Sequence, residues 1–166
     1  MKPITSDLIK VCREKFAYDA DTGNLFWRNT RIDYLDKIAG GIRSDGYKQV
    51  RVGGEMYLAH RVIWGLCVGP IDDPIDHING DRSDNRISNL RLATPSQNQQ
   101  NRKLQSNNSS GASGVYYHKN AGKWAARAGA NKKSVWIGLF DSKIEATNAR
   151  HSFAKTQFGE FFRDDK

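Results

Sequence analysis

The feature that most constrains this 166-residue chain is a polar stretch, QSNNSSGASG, at positions 105–114. It carries no apolar periodicity and cannot supply a buried face, so it is predicted to be a flexible linker. It leaves about 105 residues before it and about 55 after it, and each part must build a core of its own. Apolar residues make up 38% of the chain and aromatics 10%, enough for two small cores and against wholesale disorder.

In the first part, Thr5 or Ser6 caps a helix running to about Phe16, with Leu8, Ile9, Val11 and Cys12 on its apolar side. The turn Asp21-Thr22-Gly23-Asn24 leads into a strand. A strand near Ile38–Ile42 is separated by Ser44-Asp45-Gly46 from a second at 47–52, and Gly53-Gly54 signals a hairpin. From His60 the spacing of Val62, Ile63, Leu66 and Cys67 becomes helical. A short strand at Ile75–Ile78, the turn Asn79-Gly80-Asp81, a polar loop and a strand at about Asn89–Leu92 follow. Thr94, Pro95 and Gln97 then form a capping-box pattern opening a helix over about 95–103.

The second part reads as a three-strand meander: GVYYHK, a turn at Asn120-Ala121-Gly122, KWAARA, a turn near Asn131, and SVWIGLF. Ser142 and Glu145 form a capping box for a helix that ends at Gly159. Ala146, Ala149, Phe153 and Ala154 give it a stripe of mostly small residues, which lets it lie close on a sheet.

Lys and Arg outnumber Asp and Glu by 26 to 18, a formal net charge of +8, so a polyanion is the expected partner. The excess is densest after the linker, where 10 basic residues face 5 acidic ones, against 16 and 13 before it. No stretch approaches the ~18 to 20 apolar residues of a membrane span. MKPITSDLIKVCREKF has no apolar leader core, and an intracellular protein with no membrane partner is expected. Cys12 and Cys67 stand far apart and read as small packing residues; neither a disulfide framework nor a zinc finger is indicated.

Chemistry concentrates in the strand–loop–strand–helix unit. Asp76 carries a hard oxygen suited to Mg²⁺ or a similar cation. His77 beside it can accept a proton near neutral pH and activate water. Asn98, on the first turn of the helix, can bring an amide oxygen to the same ion, and Asn89 can bridge backbone groups across the loop and so hold His77 in orientation. An isolated Asp-His pair is ordinarily a structural turn or surface pair, and Asn is common at turns for local reasons. The ensemble of DH, a Gly turn, DN, NL and a capped helix bearing Asn, at these spacings, changes that balance.

HRVIWGLCVGPIDDPIDHINGDRSDNRISNLRLATPSQNQQNR resembles the HNH nucleases, specifically their phage and intron-encoded homing branch. The resemblance implies a ββα-metal fold that binds one divalent cation and cleaves a phosphodiester of double-stranded DNA. Carried over by position, Asp76 and Asn98 are the metal ligands, His77 the general base and Asn89 the loop-steadying Asn. Asn98 in place of a final His favours Mg²⁺, or Mn²⁺, over Zn²⁺ or Ni²⁺. No zinc-binding cysteines flank the motif, and no structural zinc is expected. A single site implies a nicking monomer, with a dimer needed for a concerted double-strand break. His60 and Arg61 lie in a segment the family also writes as HR; each reads either as a structural group or, for Arg61, as a phosphate clamp.

In the second part, strand alternation sorts Tyr116, His118, Lys123, Arg127, Lys132 and Trp136 onto one face, basic residues interleaved with aromatics. An ordinary solvated sheet face would show much the same pattern. The run from Ser113 to Phe161 also resembles the plant ethylene-response-factor (APETALA-type) DNA-binding domain through GV, GKW-A, VW-G-F-D and the Ala-rich helix. That resemblance implies a sheet face laid in the DNA major groove. Where that family often has Arg on the first strand, Tyr116 and His118 stand here, which implies fewer arginine–guanine contacts.

The expected fold is therefore α+β. Residues 1–54 form an N-terminal helix and β-hairpin region, 55–104 a ββα-metal domain, 105–113 a linker, and 114–163 a three-stranded antiparallel sheet packed on one helix. The expected function is a metal-dependent, nicking DNA endonuclease in the cytoplasm of a bacterium or a phage-infected cell. The alternatives are a non-catalytic sequence-specific DNA-binding regulator, and a sequence-tolerant RNA-binding or packaging protein.

Overall fold

The computed structural model of the protein describes residues 2–28, 37–100, 108, 110–130 and 133–161. Contacts divide the chain after Thr94 into two compact units, 1–94 and 95–166.

The first unit begins with α1 (Ser6–Lys15), capped by Thr5, whose hydroxyl accepts from the Leu8 N–H at 3.3 Å. Two antiparallel strands follow, β1 (Phe16–Asp19) and β2 (Asn24–Trp27). Next comes a sheet of β3 (Gly41–Ile42), β4 (Lys48–Val52) and β5 (Glu55–Leu58) in sequence order. The strand predicted from Ile38 thus begins three residues later; Ile38 instead bridges Phe26 singly. α2 (Ala59–Cys67) leads to the hairpin of β6 (Ile75–His77) and β7 (Leu90–Leu92).

One apolar core serves the whole unit. Ile9 and Cys12 of α1, Phe16, Leu25, Val50 and Val52 pack with Ala59, Val62 and Ile63 of α2 and with Ile75 and Leu90 of the last hairpin. Residues on both sides of position 54 therefore share the same interior. Cys12 packs as expected, and burial pushes its thiol up to about 11, whereas Cys67 is exposed. Two backbone bonds between Ile4 and Ile71, at 2.8 and 3.0 Å, tie the N-terminal segment to the approach to β6.

α3 (Pro95–Gln100) opens the second unit with Pro at its first position. Positions 101–103, where the predicted helix would continue, lie outside the described residues. So do 105–107 and 109 of the predicted linker. Residues 108 and 110–113 are built into this unit. Asn108 Oδ1 accepts from Gly111 N–H at 2.7 Å, and the buried Ala112 joins the core.

The meander is as predicted: β8 (Val115–His118), β9 (Lys123–Ala130) and β10 (Lys133–Phe140), with β9 central. The predicted turn at Asn131 lies outside the described residues. α4 (Lys143–Phe158) starts in a complete capping box between Ser142 and Glu145, and Gly159 at φ 51° closes it. Ala146 and Ala154, each fully buried, bring α4 close to the sheet, where Val115 and Ala126 complete the core with Trp124, Ile137 and Phe140.

Candidate functional site

His77 ends β6 and is 3% exposed. Its Nε2 lies 3.0 Å from Asn85 Oδ1. An amide oxygen can only accept, so Nε2 carries the proton and Nδ1 keeps the lone pair. Burial pushes the imidazole below the ordinary histidine range, against the bond to Asn85 and the carboxylates of Asp76, Asp81 and Asp84, which act the other way. A neutral ring with one nitrogen committed and the other basic is what proton abstraction requires.

The ring stands in an aromatic cluster. His60 packs edge-on against His77 with centroids 4.9 Å apart, and Tyr47, from the segment entering β4, lies 5.4 Å from His60 and 5.9 Å from His77. His60 is 2% exposed; desolvation, with His77 and Arg61 adding repulsion, drives its imidazole down to about 3.

The loop between β6 and β7 is cross-braced. Asn89 closes a 3₁₀ turn (Ile87–Asn89) just before β7 rather than lying in the strand as predicted. Its Oδ1 accepts from Asn79 N–H at 3.0 Å, while its Nδ2 donates to Asn79 Oδ1 at 3.0 Å and to the Asp84 carbonyl at 2.8 Å. Asn89 thus bridges the loop, while Asn85 hydrogen-bonds the His77 ring. Bonds from Arg86 and Asn79 hold the Asp84 carboxyl down to about 2.

The N-terminal hairpin supports this loop from outside. The Ile87 N–H donates to the Tyr18 hydroxyl at 2.8 Å. Gly23, at φ 70°, lies so close that a Cβ there would sit 2.4 Å from Arg86 N and 2.7 Å from the Asn85 carbonyl carbon. Only glycine permits both that backbone angle and that approach.

Asp76 is 5% exposed. It faces Arg91 across the hairpin register, and Arg91 donates from Nε at 3.0 Å and Nη2 at 2.9 Å to its Oδ2. Arg91 was not foreseen; counting the hairpin pairing back from the loop would have found it, because directly opposed residues share a face. Arg61 of α2 is 2% exposed and donates to the carbonyls of Asp73 (2.6 Å) and Ile71 (3.1 Å), so it acts inside the fold rather than facing solvent. Asn98 is half-buried on α3, in the second unit.

Among the described residues, no group of three or more His, Cys, Asp or Glu side chains gathers as a metal cluster. The carboxylate of Asp76 fits in kind a hard cation that leaves most of its coordination to water and substrate phosphate. That is the habit of Mg²⁺.

In the second unit, the register places Tyr116, His118, Lys123, Arg127 and Trp136 on the sheet face away from the core. Arg127 stands opposite Trp136 and holds its guanidinium 5.3 Å from the Tyr116 ring centre. Trp136 is 54% exposed. Lys123 is paired with Asp141 at 2.9 Å, and His118 Nδ1 accepts from Ala121 N–H at 3.2 Å, so both are partly committed. Lys132 lies outside the described residues. A register shift between Trp136 and Gly138 turns Leu139 onto this face as well, where strict alternation from Trp136 would place it on the other.

Comparison with known proteins bears on part of the chain. The chain is 36% identical over 76 residues to Protein 3.8 of Escherichia phage T7, an alignment covering 45% of this chain and 63% of that protein, so less than two thirds of the relative's length is spanned. No solved structure matches the chain. The HNH endonuclease family matches residues 57–100, and Asp76, His77, Asn89 and Asn98 all fall inside that span.

Proposed function

We propose that this chain is a metal-dependent DNA endonuclease that nicks duplex DNA. One observation carries the reading. Within the span similar to HNH endonucleases, a buried imidazole has one nitrogen tied to Asn85 and its own basicity lowered by burial, beside a buried carboxylate.

His77 Nδ1 takes a proton from water, and Asn85 keeps the tautomer that leaves Nδ1 basic. Asn89 holds the loop that carries Asn85. Asp76 and Asn98 are the residues that would hold Mg²⁺ or Mn²⁺. The bound cation supplies charge neutralisation at the phosphoryl group and the leaving 3′ oxygen. A single site of this kind cuts one strand, and a double-strand break needs a second subunit or a second event. The face built on Tyr116, Arg127 and Trp136 holds the duplex and raises the effective concentration of DNA through the covalent connection.

A second reading, a non-catalytic DNA-binding regulator, draws on the ion pair of Asp76 with Arg91, which neutralises a carboxylate that would otherwise serve a cation. Supercoiled plasmid incubated with Mg²⁺, Mn²⁺ or EDTA separates the two. Metal-dependent nicking that disappears in His77→Ala supports the nuclease; tight binding with no cutting under any ion supports the regulator. Asn98→Ala should weaken divalent-ion binding in calorimetry, and unchanged affinity removes it as a ligand.

A further inference from the structure

We infer that Arg82 is a phosphate-binding residue for the strand being cut, an assignment that rests on the nuclease reading above. Arg82 lies in the loop between β6 and β7 and is exposed. Its guanidinium stands 4.9 Å from the Tyr47 ring centre, and its Nη1 donates to the Asp45 carbonyl at 2.8 Å. The same Tyr47 ring is the one 5.9 Å from His77. One aromatic side chain therefore links this cation to the imidazole.

The neighbouring arginines are otherwise engaged. Arg43 pairs with Asp45 at 3.2 Å, Arg86 with Asp84 at 2.6 Å and Arg91 with Asp76 at 2.9 Å. Arg61 is buried on loop carbonyls. Arg82 forms no ion pair with a described residue, and a single carbonyl bond leaves most of its five N–H donors unspent. A charge held in no close ion pair, a planar fork and a conformation already held against a ring are properties that suit arginine to a phosphate. Phosphates recur about every 3.4 Å of axis along a strand. A strand whose phosphate reaches His77 thus brings the scissile phosphate or its neighbour within range of a guanidinium one ring away.

The test uses the full chain as wild type, Arg82→Gln, Arg82→Lys and Arg13→Ala. Arg13→Ala removes an exposed charge from α1 as a control for net charge. Duplex affinity is measured by fluorescence anisotropy across about 50 to 200 mM salt in EDTA, and plasmid cleavage in Mg²⁺. Arg82→Gln should weaken binding about tenfold at low salt and lower the salt slope by about 1. It should also raise KM more than it lowers kcat. Arg82→Lys should keep the slope, and Arg13→Ala should match wild type.

A slope and KM unchanged in Arg82→Gln, or the same fall in slope and rise in KM in Arg13→Ala, overturn the phosphate contact while wild-type cutting preserves the nuclease reading. If wild type binds duplex without cutting, the nuclease reading fails and the slope still decides Arg82. If wild type does not bind duplex at all, both fail.

Discussion

Asn85 Oδ1 accepts the Nε2 proton of His77 at 3.0 Å, in surroundings that leave the two residues 1% and 3% exposed. The bond selects the tautomer with Nδ1 basic. Asn85→Ala should therefore lower kcat for cleavage about 10- to 100-fold with little change in KM, the usual cost of losing an orienting partner. Asn85→Asp has a different signature. A carboxylate there favours the imidazolium and raises the His77 pKa, so the acid limb of the pH–rate profile should move to higher pH. Wild-type kinetics in both variants would remove Asn85 from the reaction.

The pair of Asp76 with Arg91 is almost closed to solvent, with side chains 5% and 11% exposed. Arg91→Met should cost about 3–5 kcal/mol of stability, because it leaves a buried carboxylate unpaired. Adding Asp76→Leu to Arg91→Met should recover most of that loss while abolishing metal binding. Urea unfolding of the single and double variants measures the coupling. Additive effects would show that the two charges do not interact.

His60 makes stability depend on pH. Its imidazole is held at about 3 by burial, while in the unfolded chain it titrates near 6.5. Below pH 6.5 the unfolded chain takes up a proton that the native state refuses. Stability is thus fully present above about 6.5 and falls by about 1.4 kcal/mol per pH unit as pH drops toward 3. His77, displaced in the same direction, adds to the slope. In urea unfolding at pH 7.5, 5.5 and 4.5, His60→Gln should flatten the dependence by close to one proton, and an unaltered slope would contradict it.

Arg127 and Trp136 should separate by salt. Trp136→Ala removes an exposed stacking surface and should weaken duplex binding by about 1–3 kcal/mol while leaving the salt slope alone. Arg127→Ala should lower the slope by about 1. Because Trp136 is 54% exposed and Arg127 is also exposed, neither change should lower the melting temperature appreciably. Unchanged affinity in both would mean that this face does not meet DNA.

Local chemistry was legible in the chain before any fold was known. Thr5 caps α1 and the Ser142–Glu145 box opens α4 because the bonds involved span three residues. The meander follows from turns and alternation. Asp76, His77 and Asn89 stand out in the sequence as candidates because their residue types and spacing suggest metal and proton chemistry. What remained hidden depends on register and docking. Arg91 reaches Asp76 only through the pairing of β6 with β7, and Leu139 changes face at a register shift that alternation cannot anticipate.

Tyr47 and Asn85 belong to the same class. The sequence by itself determined the inventory of reactive groups and the short-range elements that carry them, since helix caps, hairpin turns and apolar periods are set by near neighbours. Only the tertiary structure decided that Tyr47 stacks beside His77, that Asn85 chooses its tautomer, and that Gly23 and Tyr18 hold the loop in place. Apart from the His77–Asn85 bond, which spans eight positions, those contacts join residues thirty or more positions apart. They form because the hairpins bury one shared apolar core, and that burial has no local signature in the chain.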